Sequence, residues 1–275
     1  FVLELGVKEK IRGEIILPLR TNQPKRMAMK ERLFLSSSEK PEKNYFLRSV
    51  LLVVKNQGYR LEVENQENLS RLKELLNRHS VVAYFNHLTS ADGVLVIASL
   101  LDNKGFNFQI AALAGRKHDD FFRKPLSAAA INVGRLLGVK IYPIVQHDDH
   151  DSYSEKENLR LCRAFFNQFK SLSQNPGTLF LIAPEGTRNK SGGSLQKAQE
   201  GIGLMAKINP DVYFMPVGII PQGKINSGLN LGKHFTIIYG SPFKLEKEIV
   251  RSQSRGEISQ NLMAKLAEIL PETIR

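Results

Sequence analysis

A chain of 275 residues, 42% hydrophobic and 24% charged, can bury a substantial core; this excludes a low-complexity or disordered protein and fits one large domain or one domain with a small extension. Its 39 basic and 27 acidic residues leave a net charge of +12, which favours anionic partners: acidic lipid, phosphate-bearing substrates, an acidic carrier protein or nucleic acid. The lone cysteine, Cys162, excludes an internal disulfide framework, and no apolar run reaches the roughly 18–20 residues of a spanning helix.

The basic excess is concentrated at the start. Residues 1–60 hold 13 Lys/Arg and 6 Asp/Glu. Segments 24–35 and 43–59 read as helices, the second with Leu47, Val50, Leu51 and Val54 at helical spacing beside Lys43, Arg48 and Lys55. Such a helix either packs on the core or lies on an anionic membrane surface. Residues 1–60 are therefore expected to form a basic helical extension, and residues 61–275 the main domain. In the main domain NLSRLKELLNR reads as a helix and VVAYF (81–85) as a buried strand. VLVIASLL reads as the next helix. Further strands are expected at 108–114, 139–145, 177–184, 213–220 and 235–240, with helices at 123–137, 155–173, 195–207 and 257–269. Strands alternating with helices predict an α/β fold: a mixed, largely parallel sheet flanked by helices, with sites where strands end. Cys162 falls in the helical LRLCRAFF and reads as a packing residue.

Three segments can carry chemistry. In Asn86-His87-Leu88-Thr89-Ser90-Ala91-Asp92 the histidine can take a proton from a hydroxyl, and the carboxylate can hold one imidazole tautomer. The pair supplies a base and its orienter but no nucleophile, which suits an acceptor substrate that brings its own attacking oxygen. Were 87–92 helical, the two side chains would lie about 140° apart. The chain must therefore bend after His87, with Asp92 near the start of the next helix and Thr89 or Ser90 as candidate caps. The second segment, Ala183-Pro184-Glu185-Gly186-Thr187-Arg188, follows a strong strand. Arg188 can grip a phosphate bidentately, Gly186 permits close backbone approach, Thr187 adds a hydroxyl, and Glu185 either fixes a hydroxyl-bearing substrate or anchors the loop. The third, Phe214-Met215-Pro216-Val217, suggests an edge or irregular strand shaping a pocket wall.

Other clusters read as decoys. Gly218 to Lys224 has phosphate-loop spacing, but Ile225 stands where a Ser/Thr would hold magnesium. His147-Asp148-Asp149-His150-Asp151 is metal-rich in composition yet fits a polar loop, and no metal is expected. No G-x-S-x-G elbow occurs, which argues against a serine hydrolase.

Taken in order, the three segments resemble the phospholipid/glycerol acyltransferase family, the enzymes related to 1-acyl-glycerol-3-phosphate acyltransferase. Asn86, His87 and Asp92 match its N-H-x4-D block. Pro184 to Arg188 match its F-P-E-G-T-R-S block, with Ala183 and Asn189 replacing the outer residues, and Pro216 and Val217 match its V-P block. In the family's second block Gly138 and Ile141 are in register, but the basic position falls on Ile144, leaving Lys140, Arg135 or the following loop as substitutes. The stretch 146–160 loosely resembles the soluble plastid-type glycerol-3-phosphate acyltransferases.

The resemblance, which spans about residues 80–222, implies fatty acyl transfer in phospholipid synthesis. The donor would be acyl-CoA or acyl-carrier protein, with no resident cofactor, and the acceptor a glycerol-phosphate-type hydroxyl such as lysophosphatidate or glycerol-3-phosphate. His87 would be the general base and Asp92 its orienter. Asn86, Glu185, Gly186, Thr187, Arg188 and Pro216 would form the substrate site. An anionic membrane surface is an expected partner and nucleic acid is not. The expected location is cytoplasmic and peripheral on the membrane, with an anchoring segment ahead of Phe1 left open. Transfer to a lyso-glycolipid and a non-catalytic basic lipid-binding module are the alternatives.

Overall fold

Segments 81–85 and 178–182 are buried at every position, as strands covered on both faces must be. They are β2 (Val81–Phe85) and β5 (Thr178–Ile182), and they pair in parallel. This computed structural model describes residues 58–89, 91–102, 108–115, 139–144, 155–189, 195–225 and 232–274. Around the central pair lie β1 (Tyr59–Glu64), α1 (Gln66–Leu76), α2 (Asp92–Asp102), β3 (Gln109–Gly115), β4 (Val139–Ile144), α3 (Glu155–Ser173) and α4 (Gly201–Ile208). The chain continues through β6 (Tyr213–Gln222), β7 (Lys233–Tyr239), α5 (Lys247–Ser252) and α6 (Arg255–Glu268).

The seven strands form one sheet in the order β1-β7-β6-β2-β5-β3-β4. Every pairing is parallel except β6 with β7. The mixed, largely parallel sheet expected from the alternating pattern is therefore present. Alternate residues of β2 serve two cores. Val81, Ala83 and Phe85 join Leu69, Leu72 and Leu95 from α1 and α2. Val82 and Tyr84 join Phe165, Ile202 and Leu262 from α3, α4 and α6. α6 starts at Ser254, whose hydroxyl accepts Glu257 N at 3.2 Å while the Glu257 carboxylate accepts Ser254 N at 2.6 Å, a reciprocal cap.

Several expectations need correction. Tyr59 and Arg60 open β1, not the end of a helix. This strand escapes an apolar-run search because Arg60, Glu62 and Glu64 alternate with its inward residues. The helix expected over 195–207 begins only at Gly201; residues 195–199 are irregular and cross the loop after β5. Pro216 lies inside a central strand, not on an edge. Phe214 N donates to Phe243 O and Gly240 N donates to Pro216 O, so the donor that Pro216 lacks falls where β6 changes partner from Phe243 to β7. The stretch resembling a phosphate loop, 218–224, mostly continues β6. The helices expected at 24–35 and 123–137, the extension up to residue 57, Arg135 and the 147–151 cluster lie outside the described residues. Among the described residues, no helix is long and apolar enough to cross a membrane. Cys162 is half-buried, and burial pushes its thiol pKa up.

α4 and α6 meet at Gly203, whose N–H donates to Ser259 Oγ at 3.1 Å and so satisfies one first-turn donor. A Cβ there would overlap the Arg255 carbonyl oxygen and lie 2.8 Å from Ser259 Oγ. Gly203→Ala should cost at least about 1–3 kcal/mol in urea unfolding; an unchanged midpoint would contradict this contact. Tyr84 Oη is buried with no hydrogen-bond partner among the described residues, and burial raises its pKa. Tyr84→Phe should therefore be neutral or stabilising by up to about 1 kcal/mol; a clear loss in the same assay would reveal a partner.

Candidate active site

β2 and β5 are neighbouring parallel strands, so the loops that follow them emerge side by side at one edge of the sheet. The first loop curls around Asp92, which opens α2 and is fully buried. Asp92 Oδ2 accepts Leu88 N at 2.6 Å and Thr89 N at 2.8 Å, and Oδ1 accepts the Thr89 hydroxyl at 2.6 Å. Thr89 Oγ1 in turn accepts Ala91 N at 3.1 Å. A carboxylate removed from water requires such donors, and the start of a helix adds favourable potential. Ser90 is outside the described residues.

His87 Nδ1 lies 2.9 Å from Asp92 Oδ2, so the bend required by their spacing is present. Because that oxygen already accepts two backbone N–H groups, Nδ1 carries the proton and donates it. Nε2, on the far side of the ring, then keeps its lone pair. The His87 side chain is 16% exposed.

The second loop holds the backbone of His87 at two points. His87 N donates to Glu185 Oε1 at 2.7 Å, and His87 O accepts Asn189 N at 2.7 Å. The other oxygen of Glu185, Oε2, accepts Gln196 N at 3.1 Å. Glu185 is 2% exposed, so of its two sequence-derived roles the geometry is that of a loop anchor. The strap at 195–199 completes this loop: Gln199 N donates to Pro184 O at 2.8 Å, and Thr187 Oγ1 donates to Gln196 Oε1 at 3.1 Å. Gly186 adopts φ +71°, and a Cβ on it would lie 2.9 Å from the Gln199 side chain, so position 186 requires glycine. Arg188 is partly exposed on the same loop.

Asn86 is fully buried, with Nδ2 donating to Ile219 O at 2.9 Å and Oδ1 accepting Ile219 N at 2.7 Å. Asn86 and Pro216 thus both sit in the sheet interior. Gln196, Asn189 and Ile219 were missed by sequence reasoning; no local signal marks them, since each acts through a partner distant in sequence. Ile144 ends β4, and Lys140 is exposed on the same strand. A separate cavity of about 270 Å³, lined in part by Arg78, Ser80, Asn175 and Asn209, opens at the opposite end of β2. Ser80 and Asn209 there bond to neighbouring backbone, so that cavity is distinct from the His87 site.

Burial is the largest influence on Glu185 and pushes its carboxyl pKa up. The N–H bonds from His87 and Gln196 and the charge of His87 pull it back, while Asp92 adds to the rise. Folding therefore favours the protonated carboxyl, and stability from this group is lost as pH rises from the usual value of 4.5 through the raised one. In urea melts the stability of wild type relative to Glu185→Gln should fall with pH across that window. A difference that grows with pH would mean that the two backbone bonds outweigh burial.

The Acyltransferase family model matches residues 60–220, more than half of the chain. No curated protein sequence matches significantly. Among solved structures, the 1-acyl-sn-glycerophosphate acyltransferase PlsC from Thermotoga maritima is similar at 16% identity, with 88% of this chain and 87% of that chain covered at a TM-score of 0.46. On the strength of the family match, which takes in both β2 and β5 and the loops that follow them, the chain belongs to the acyltransferase family.

Proposed function

We propose that the protein transfers a fatty acyl group from a thioester donor, acyl-CoA or acyl-carrier protein, to a hydroxyl of a glycerol-phosphate-type acceptor such as lysophosphatidate or glycerol-3-phosphate. The observation that carries this is the His87–Asp92 pair: a buried carboxylate with three other donors holds Nδ1 and leaves Nε2 as proton acceptor. Nε2 removes the proton of the acceptor hydroxyl as its oxygen attacks the thioester carbonyl. Asp92 stabilises the resulting imidazolium. The tetrahedral intermediate collapses, the carbon–sulfur bond breaks, and the imidazolium returns its proton to the departing thiolate. The attacking oxygen comes from the acceptor, so no acyl-enzyme forms and ping-pong kinetics are not expected.

Arg188, with Gly186 and Thr187 beside it, is assigned to the acceptor phosphate, for which a guanidinium is well suited. Glu185 and Asn86 support the site as anchors, since both are buried with their polar atoms on the backbone. The net charge of +12 suits a phosphate-bearing acceptor and a peripheral position on an anionic membrane.

A radiolabelled acyl-transfer assay with both thioester donors, and acceptors with and without phosphate, tests the scheme. His87→Ala should lower kcat by at least about 10²–10⁴-fold while circular dichroism stays native. Arg188→Ala should mainly raise KM for phosphorylated acceptors. A His87→Ala protein with wild-type kcat would eliminate the base assignment. An unchanged KM in Arg188→Ala would eliminate the phosphate clamp.

A further inference from the structure

We infer that Asn86 is a positioning residue, whose side-chain amide replaces the last rung of the β2–β6 ladder and thereby fixes where His87 stands. This rests on the assignment of His87 as the base. The backbone pairing of β2 with β6 ends at Phe85 opposite Val217. On that side of β6 the odd-numbered residues face β2, as Tyr213 N bonded to Ser80 O shows. Ile219 is next in that series, and its N–H and C=O would be stranded, because the chain leaves the sheet at Asn86 to form the His87 loop. The Asn86 amide meets both groups, at 2.7 Å and 2.9 Å.

A primary amide is the side chain that reproduces a peptide's donor and acceptor. Aspartate lacks the donor, serine is too short to span both groups, and glutamine is a methylene too long. With Asn86 fully buried, its effect on substrate passes through the backbone of the next residue. Successive residues are thus tied in opposite directions: Asn86 to β6, and His87 N to Glu185 beyond β5. The chain enters the base from a point held on both sides, while Asp92 sets the ring. Losing the β6 tie would let the base shift, and a misplacement of about 1 Å can cost on the order of 10²-fold in rate.

A kinetic double-mutant cycle of Asn86→Ala and His87→Ala tests this, with Asn209→Ala as the control. Asn209 makes a comparable two-bond arrangement far from the site, donating to Ser173 O and accepting Asp211 N. Asn86→Ala should lower kcat about 10–100-fold with little change in KM. In the His87→Ala background it should lower the residual rate no further, and Asn209→Ala should keep wild-type kcat. If Asn86→Ala does not fold by circular dichroism, Asn86→Ser is uncharged and keeps a hydroxyl for one of the two Ile219 groups. It should show the same pattern with a smaller loss.

Wild-type kcat in the Asn86 variants, an equal loss in both His87 backgrounds, or an equal loss in Asn209→Ala would overturn the positioning role and leave the base assignment intact. Full activity in His87→Ala would overturn the base assignment, and this role with it.

Discussion

The geometry of the site depends on a carboxylate that has been taken out of water. Asp92 is fully buried, and an ion in that position is tolerable only if surrounding dipoles replace its hydration. Four donors do so: two backbone N–H groups, the Thr89 hydroxyl and the His87 ring. To deliver the first three, residues 88 and 89 must curl back over the start of α2. That curl, and no separate device, turns His87 toward the carboxylate. Stabilisation of the loop and orientation of the base are therefore one set of bonds.

The second requirement is a fixed origin for that curl. The end of β2 lies between β6 and β5, and each neighbour supplies a tie. Asn86 reaches Ile219 on one side, and Glu185 and Asn189 hold the backbone of His87 on the other. The Glu185 carboxylate also binds Gln196 N, so the strap at 195–199, the loop after β5 and the base form one hydrogen-bonded unit.

Much of the fold was legible in the sequence because its central strands are uninterrupted apolar runs. VVAYF and TLFLI declare themselves, and the helices between strands imply parallel pairing. β1 was hidden because an edge strand with one wet face carries charge at every second residue, and its partner β7 lies about 170 residues away. Pro216 was misplaced because a missing N–H usually means an edge; here it coincides with a break in one ladder. At the site, the bend between His87 and Asp92 followed from helical geometry alone. The duties of Asn86 and Glu185 did not, because Ile219 and Gln196 are brought to them only by the folded sheet and the strap.

The central claim is that Asp92 holds His87 with its proton on Nδ1 and its lone pair on Nε2. Long-range proton–nitrogen correlation NMR on the histidine-labelled protein, at a pH where the ring is neutral, reads the tautomer directly. The bonds at Asp92 predict the Nδ1–H form for His87 in the wild type, with Nε2 as the unprotonated nitrogen. A neutral His87 protonated on Nε2 would contradict both the pairing and the role built on it.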